Sequence, residues 1–298
     1  MRPFVFVGGG LGDVARRLYL TNTYEVIATR TEPIWVACFS HNPSALEFFR
    51  FHPNNRQIVL LDMGHLYMSL MREKQLAGKE INRAIFQRCG LAESEQLTMN
   101  RRLAPIGHFH APDNIKEANG HIVLHPFGRG WGDWPPATCD AVRAVLWAVP
   151  PAVRIFVIAA DYVSADGRIK RESFPCDLPN VTVLKNLSAP AAFTLVASAS
   201  RFLGSMSALS QVAAFENVPS LILYPARCSD FRPPFSNYSK AIWQGNGIAV
   251  DHDSTDPVEL RNTLTEFLQD PATRPVMREA FAAADPRAGS CERLPAGR

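Results

Sequence analysis

Short apolar runs alternate with helix-patterned stretches along most of this 298-residue chain. In the first half, Phe4 to Val7, Glu25 to Ala28, Ile34 to Phe39 and Gln57 to Asp62 read as strands. Between them, apolar positions recur at helical spacing from Asp13 to Leu20 and from Pro43 to Phe51, the second stretch with Asn42 as its cap. Strands separated by helices predict a parallel sheet with crossover connections. Residues 64 to 99 are helix-patterned and more polar. Residues 102 to 120, with two prolines, two glycines and few apolar runs, read as a linker.

The pattern restarts at Ile122-Val123-Leu124-His125-Pro126. A helix is expected over 137–148, strands over 154–159, 181–184, 202–204, 220–224 and 247–250, and helices over 190–199, 207–216 and 257–268. The expected organisation is an α/β protein of two Rossmann-like parallel-sheet domains, residues 1–115 and 116–285, facing across a cleft. A Pro/Gly/charge-rich tail over 286–298 is expected to fray. Ligands of open α/β sheets bind at the carboxyl ends of the strands, so a cleft between two such domains suits a two-substrate reaction.

Two glycine-rich turns, one per half, sharpen this expectation. Phe4-Val5-Phe6-Val7 runs into Gly8-Gly9-Gly10-Leu11-Gly12-Asp13, and Arg201-Phe202-Leu203 runs into Gly204-Ser205-Met206-Ser207 ahead of an apolar helix. A buried strand that ends in small residues carries backbone N–H groups to a helix N-terminus, which suits it to hold a phosphate or a developing negative charge. A conventional dinucleotide fingerprint is disfavoured, because position 13 is Asp rather than Gly.

Composition narrows the partners. A formal charge of +3 without any dense Lys/Arg run gives no nucleic-acid footprint, so none is expected as a partner. The six cysteines (Cys38, Cys89, Cys139, Cys176, Cys228, Cys291) form no CxxC pair and no metal-ligand spacing, so they read as reduced thiols. No stretch approaches the ~18 apolar residues of a membrane span. A cytoplasmic protein is expected, with peripheral contact to a membrane face kept open by the mild basicity.

Four stretches together resemble a known family: the Gly8 to Asp13 turn; His41-Asn42-Pro43 through Phe51-His52-Pro53; His125-Pro126-Phe127-Gly128-Arg129-Gly130-Trp131-Gly132-Asp133-Trp134-Pro135; and Gly204 to Pro219. In order and spacing they are similar to the ADP-heptose:lipopolysaccharide heptosyltransferases (glycosyltransferase family 9) over most of residues 4 to 270. The resemblance implies a GT-B architecture and metal-independent, inverting transfer of a sugar. The partners it implies are a nucleotide-diphosphate sugar donor and a glycan or glycolipid acceptor, with no cofactor. Two departures stand out. The family usually has a Lys shortly before the Trp-Pro pair, where this chain has Gly132 and Asp133, with Arg129 the nearest cation. Its donor loop usually reads Asp-Ser/Thr-Gly followed by a His, where this chain has Met206-Ser207-Ala208 and Gln211. ADP-heptose as the donor therefore does not follow.

An inverting transferase needs a base for the acceptor hydroxyl and stabilisation of the departing diphosphate. Asp13 is the candidate base, at a helix N-terminus whose dipole favours a carboxylate; the alternative is an aspartate that only caps the helix. Gly10 and Gly12 shape the acceptor-side loop. Gly204, Ser205, Ser207 and the adjoining amides are the candidate phosphate cradle, with Arg129 for charge and Gln211 for nucleotide or sugar hydroxyls. No metal site is expected, since Asp251-His252-Asp253 sits between a strand and a helix and reads as an acidic turn. His108 and His110 read as solvated linker residues. A nucleotide-sugar epimerase on the same fold and a non-catalytic sugar-nucleotide-binding protein remain alternatives.

Overall fold

Alternating aromatic and β-branched residues in Phe4-Val5-Phe6-Val7 favour a strand with both faces covered. The computed structural model describes residues 3–40, 43–50, 52, 54–66, 69, 79–99, 121–128, 133–163, 169–174, 176–225 and 247–269. In it, β1 (Phe4–Gly9), β2 (Ile34–Ser40) and β3 (Ile58–Asp62) form a parallel sheet in the order β1-β2-β3. Helix α1 (Leu11–Leu20) follows β1 directly and buries Val14, Ala15 and Leu18. A 3-10 turn (Pro43–Leu46) leads into the short α3 (Glu47–Arg50), and α4 (Lys79–Arg88) sets Phe86 edge-on against Phe4 and Phe6, with ring centroids 5.1 and 5.4 Å apart.

The strand expected over Glu25 to Ala28 is instead a helix, α2 (Thr23–Ala28). Tyr24 and Ile27 are both buried, at i,i+3 spacing, and the Tyr24 hydroxyl donates to the Phe48 carbonyl at 2.5 Å. Burying one side of a single helical turn outweighed the β-propensity of Val26 and Ile27.

The second sheet has six parallel strands: β4 (His121–His125), β5 (Arg154–Ala159), β8 (Val181–Lys185), β9 (Arg201–Gly204), β10 (Ser220–Tyr224) and β11 (Gly247–Asp251). Their order is β11-β10-β9-β4-β5-β8. The chain starts at the centre, builds outward through β5 and β8, then returns to the other side of β4 with β9. The carboxyl ends of β4 and β9 therefore flank the topological switch point, where open α/β sheets leave a crevice. Helices α5 (Pro136–Leu146) and α8 (Pro257–Gln269) pack together in one core. Helices α6 (Ala189–Ala197) and α7 (Ala208–Phe215) contribute to the other. A two-stranded hairpin, β6 (Asp161–Val163) with β7 (Ile169–Arg171), was not predicted, because neither three-residue strand carries an apolar run. The predicted linker (102–120) and tail (286–298) lie outside the described residues, as do Asn42, His108 and His110.

One hydrophobic core joins the two sheets. Val5, Val7, Val14 and Leu18 share it with Phe193, Val196, Leu209 and Val212, and Phe48 stacks on Phe193 with ring centroids 4.9 Å apart. Each such fully buried side chain is worth about 1.5–3 kcal/mol. This common core holds α1 against α7.

Two local features carry predictions. Gly204 ends β9 where an added Cβ would lie 2.8 Å from the His125 carbonyl oxygen and 2.8 Å from two atoms of the buried Phe202 ring. Gly204→Ala should therefore destabilise the protein by about 1–3 kcal/mol, since backbone and a packed ring must both shift. A denaturant midpoint unchanged from wild type would show that β4 and β9 can spread freely.

The second feature is His52, buried at 2% exposure. Its Nε2–H donates to the Tyr24 carbonyl at 3.0 Å and its Nδ1 accepts the Asn54 N–H at 3.0 Å, a pair of contacts that fits the neutral ring. Burial lowers its pKa, against smaller opposing effects of the Tyr24 carbonyl and Glu25. The unfolded chain, with histidine near pKa 6.5, then binds the proton first. Stability from this site should be complete above about pH 6.5 and decline as the pH falls below it. Urea melts between pH 5 and 8 test this: His52→Gln should flatten the decline, and an unaltered slope would assign it to other groups.

Candidate functional site

The two glycine-rich turns meet. An added Cβ on Gly12, in the first turn of α1, would lie 3.6 Å from the Ala208 nitrogen, 3.7 Å from its Cα and 3.8 Å from the Ser207 carbonyl carbon. The first turns of α1 and α7 thus lie backbone to backbone, and their two positive dipole ends add in one place.

On the α1 side, Gly10 is the N-cap residue, and its N–H donates to Asp13 Oδ2 at 2.9 Å. Asp13 therefore does cap its helix. Its side chain is also exposed, beside the seam that Gly12 makes with α7.

On the α7 side, Ser207 is the N-cap in extended conformation. Its Oγ accepts the Ser210 N–H at 3.4 Å and its own N–H donates to Ser210 Oγ at 3.0 Å. The Ser207 hydroxyl keeps its proton for another acceptor. The first amides of a helix have no partner within it, and among the described residues nothing accepts from the Ala208 or Leu209 N–H. Of the residues that carry these groups, Ser207 and Ala208 are those that Gly12, the neighbour of Asp13, packs against.

The turn itself is held from β4. Ser205, 3% exposed, donates its N–H to the His125 carbonyl at 2.8 Å and its hydroxyl to the Pro126 carbonyl at 3.1 Å. The hydroxyl proton is thus engaged within the protein, so Ser205 contributes the position of the turn. The same Pro126 oxygen accepts the Trp134 N–H at 3.2 Å, which brings the two ends of the 127–133 loop together at the switch point. Arg129, on that loop, lies outside the described residues.

Gln211 lies one turn into α7, three residues after Ala208, and is 3% exposed. Its Oε1 is buried with no hydrogen-bond partner among the described residues. An orphaned acceptor costs about 1–3 kcal/mol, so it calls for a donor that the described residues do not supply.

No family model matches this sequence, and no curated protein is detectably similar to it. Solved structures are. The chain is similar to ADP-heptose LPS heptosyltransferase II of E. coli, with 14% identity and a TM-score of 0.53, covering 90% of this chain and 98% of that one. Against E. coli heptosyltransferase WaaC with ADP the values are 13% and 0.54, with 91% and 100% covered. Against a family 9 glycosyl transferase from Veillonella parvula they are 11% and 0.52, with 95% of each chain covered. The chain has a heptosyltransferase-like GT-B fold.

At such identities the likeness to the heptosyltransferases carries architecture, and chemistry must come from the residues. Within this fold, Asp13, Gly10 and Gly12 come together with Ser207 and its helix amides, while Gly204 and Ser205 build the turn beneath them. The Asp251 carboxylate is taken up by its own turn: Oδ1 accepts the Asp253 N–H and Oδ2 the Ser254 hydroxyl, each at 3.0 Å. An acidic turn ahead of α8 is what the sequence pattern anticipated there. Missed by sequence was the ion pair between Lys170 on β7 and Asp133, at 2.8 Å. No spacing rule connects residues 37 positions apart on a loop and an unpredicted hairpin.

Proposed function

We propose that the protein is a glycosyltransferase that moves a sugar from a nucleotide-diphosphate sugar to a hydroxyl of a glycan or glycolipid acceptor, with inversion and without a metal. The observation that supports this reading is the meeting of the α1 and α7 N-termini at Gly12, the neighbour of the exposed Asp13, with first-turn α7 amides that have no acceptor among the described residues. The N-terminal half, residues 1–115, takes the acceptor, and residues 116–285 take the nucleotide.

In this mechanism Asp13 accepts the acceptor hydroxyl proton as that oxygen attacks the anomeric carbon of the donor. The bond from that carbon to the diphosphate oxygen breaks on the opposite face. The electron pair leaves with the diphosphate, where the α7 amides, the Ser207 hydroxyl and the two helix dipoles stabilise the added charge. Arg129 adds a cation from the 127–133 loop. Gln211 Oε1 accepts from a hydroxyl of the donor, since a phosphate oxygen has no proton to offer it. Such an arrangement disperses leaving-group charge without a divalent ion.

No described helix is long and apolar enough to cross a membrane. A cytoplasmic enzyme that meets a glycolipid acceptor at a membrane face, in cell-envelope glycan synthesis, fits the reading.

The test is thermal stabilisation by UDP, ADP, GDP and CMP, followed by product analysis with the matching sugar donor. Ligand at about a hundred times its dissociation constant should add about 2.7 kcal/mol. Transfer should require an acceptor and persist in excess chelator. Isomerisation of the donor alone would favour an epimerase, binding without turnover a non-catalytic protein, and loss of turnover restored by Mn²⁺ would end the metal-free mechanism.

A further inference from the structure

We infer that Lys170 and Asp133 form an electrostatic pair that sets the affinity of the switch-point site for phosphate-bearing ligands, an inference that rests on reading that site as a nucleoside diphosphate site. The β6–β7 hairpin rises from the carboxyl end of β5, the neighbour of β4. Its stem is anchored. The carboxylate of Glu172, 4% exposed, accepts the Ala160 N–H at 2.7 Å, the Glu172 N–H returns to the Ala160 carbonyl, and the Asp161 N–H donates to Asn186 Oδ1 at 2.8 Å. From this stem Lys170 Nζ reaches Asp133 Oδ2 at 2.8 Å.

Asp133 immediately precedes Trp134, whose N–H bonds the same Pro126 oxygen that takes the Ser205 hydroxyl. One ion pair and two hydrogen bonds therefore connect the hairpin to the phosphate turn. An uncompensated carboxylate at this position would repel an arriving anion. The ammonium of Lys170 cancels that charge and can be shared with a phosphate when one binds. The pair is too exposed, at 42% and 35%, to matter much as a stabilising contact. Its field, however, reaches any ligand within about 10 Å at moderate ionic strength.

The two partners should then act with opposite signs on ligand affinity. The probe is whichever of ADP, UDP and GDP the wild-type protein binds most tightly, with its monophosphate as control, titrated by calorimetry. Asp133→Asn should tighten the diphosphate and Lys170→Gln should weaken it, each by about 3- to 10-fold, with a smaller effect on the monophosphate. The double variant should lie near wild type, and the differences should shrink as NaCl is raised from about 0.05 to about 0.5 M.

A purely structural latch gives another result: both single variants shift affinity in the same direction, insensitively to salt, with matching losses in melting temperature. That outcome, or no change in either variant, would overturn the inference while leaving the site reading intact. Wild-type protein that binds none of the nucleotides would overturn both.

Discussion

Asp13→Asn should lower acceptor turnover by about 10²- to 10⁴-fold while leaving nucleotide affinity and melting temperature close to wild type. The structure makes this separation possible. Asp13 has two functions, accepting the Gly10 N–H at 2.9 Å and standing exposed beside the seam between α1 and α7. An asparagine oxygen can still accept the Gly10 N–H, so the helix keeps its cap, but the amide cannot take a proton at neutral pH. Turnover and nucleotide binding measured on one purified variant give the answer. Near wild-type turnover would leave Asp13 as a cap and remove the base from the mechanism.

Ser207→Asp should abolish nucleoside diphosphate binding in a protein that still folds. Aspartate is as good an N-cap as serine and can accept the Ser210 N–H in its place. What changes is charge. A carboxylate about 4 Å from a phosphate oxygen, at an effective dielectric constant of about 20, repels it by about 4 kcal/mol, or about a thousandfold in affinity. Titration calorimetry beside a thermal melt reads both quantities. Unchanged affinity would place the diphosphate away from the α7 N-terminus, and a lowered melting temperature would mean that the cap geometry had been lost.

The two predictions test one claim from opposite sides, because the residues belong to different halves of the chain. Their proximity depends on the shared core, in which Val14 and Leu18 of α1 join Leu209 and Val212 of α7. A substitution that loosens this core without touching the site, such as Phe193→Ala against its Phe48 partner, would be expected to impair catalysis through geometry.

Much of this was legible from residue order. Unbroken apolar runs of four to six residues, as at Phe4 to Val7 and Leu221 to Tyr224, leave a parallel-sheet strand as the natural reading. Small residues between strand and helix mark candidate anion-binding turns because they let a ligand come close to the helix amides that every N-terminus leaves unpaired. Asp13, Gly204 and Ser207 were chosen as candidates from these local signals, and the acidic turn at Asp251 was recognised from its place between a strand and a helix.

What tertiary structure decided were matters of partner choice. Glu25 to Ala28 became helical because Tyr24 and Ile27 had a core to enter, and local pattern does not record where a core will be. The contact of Gly12 with Ser207 and Ala208 joins residues nearly 200 positions apart, and it arises from packing of α1 on α7 rather than from any motif. Ser205 looked like a phosphate ligand by sequence, yet its hydroxyl is engaged by Pro126, a partner set by the β4–β9 pairing. The Gln211 oxygen without a partner among the described residues and the Lys170–Asp133 pair became visible only once burial and distance could be measured. Periodicity along a chain reports which face of an element is apolar; which elements then face each other is settled by the packing of all of them at once.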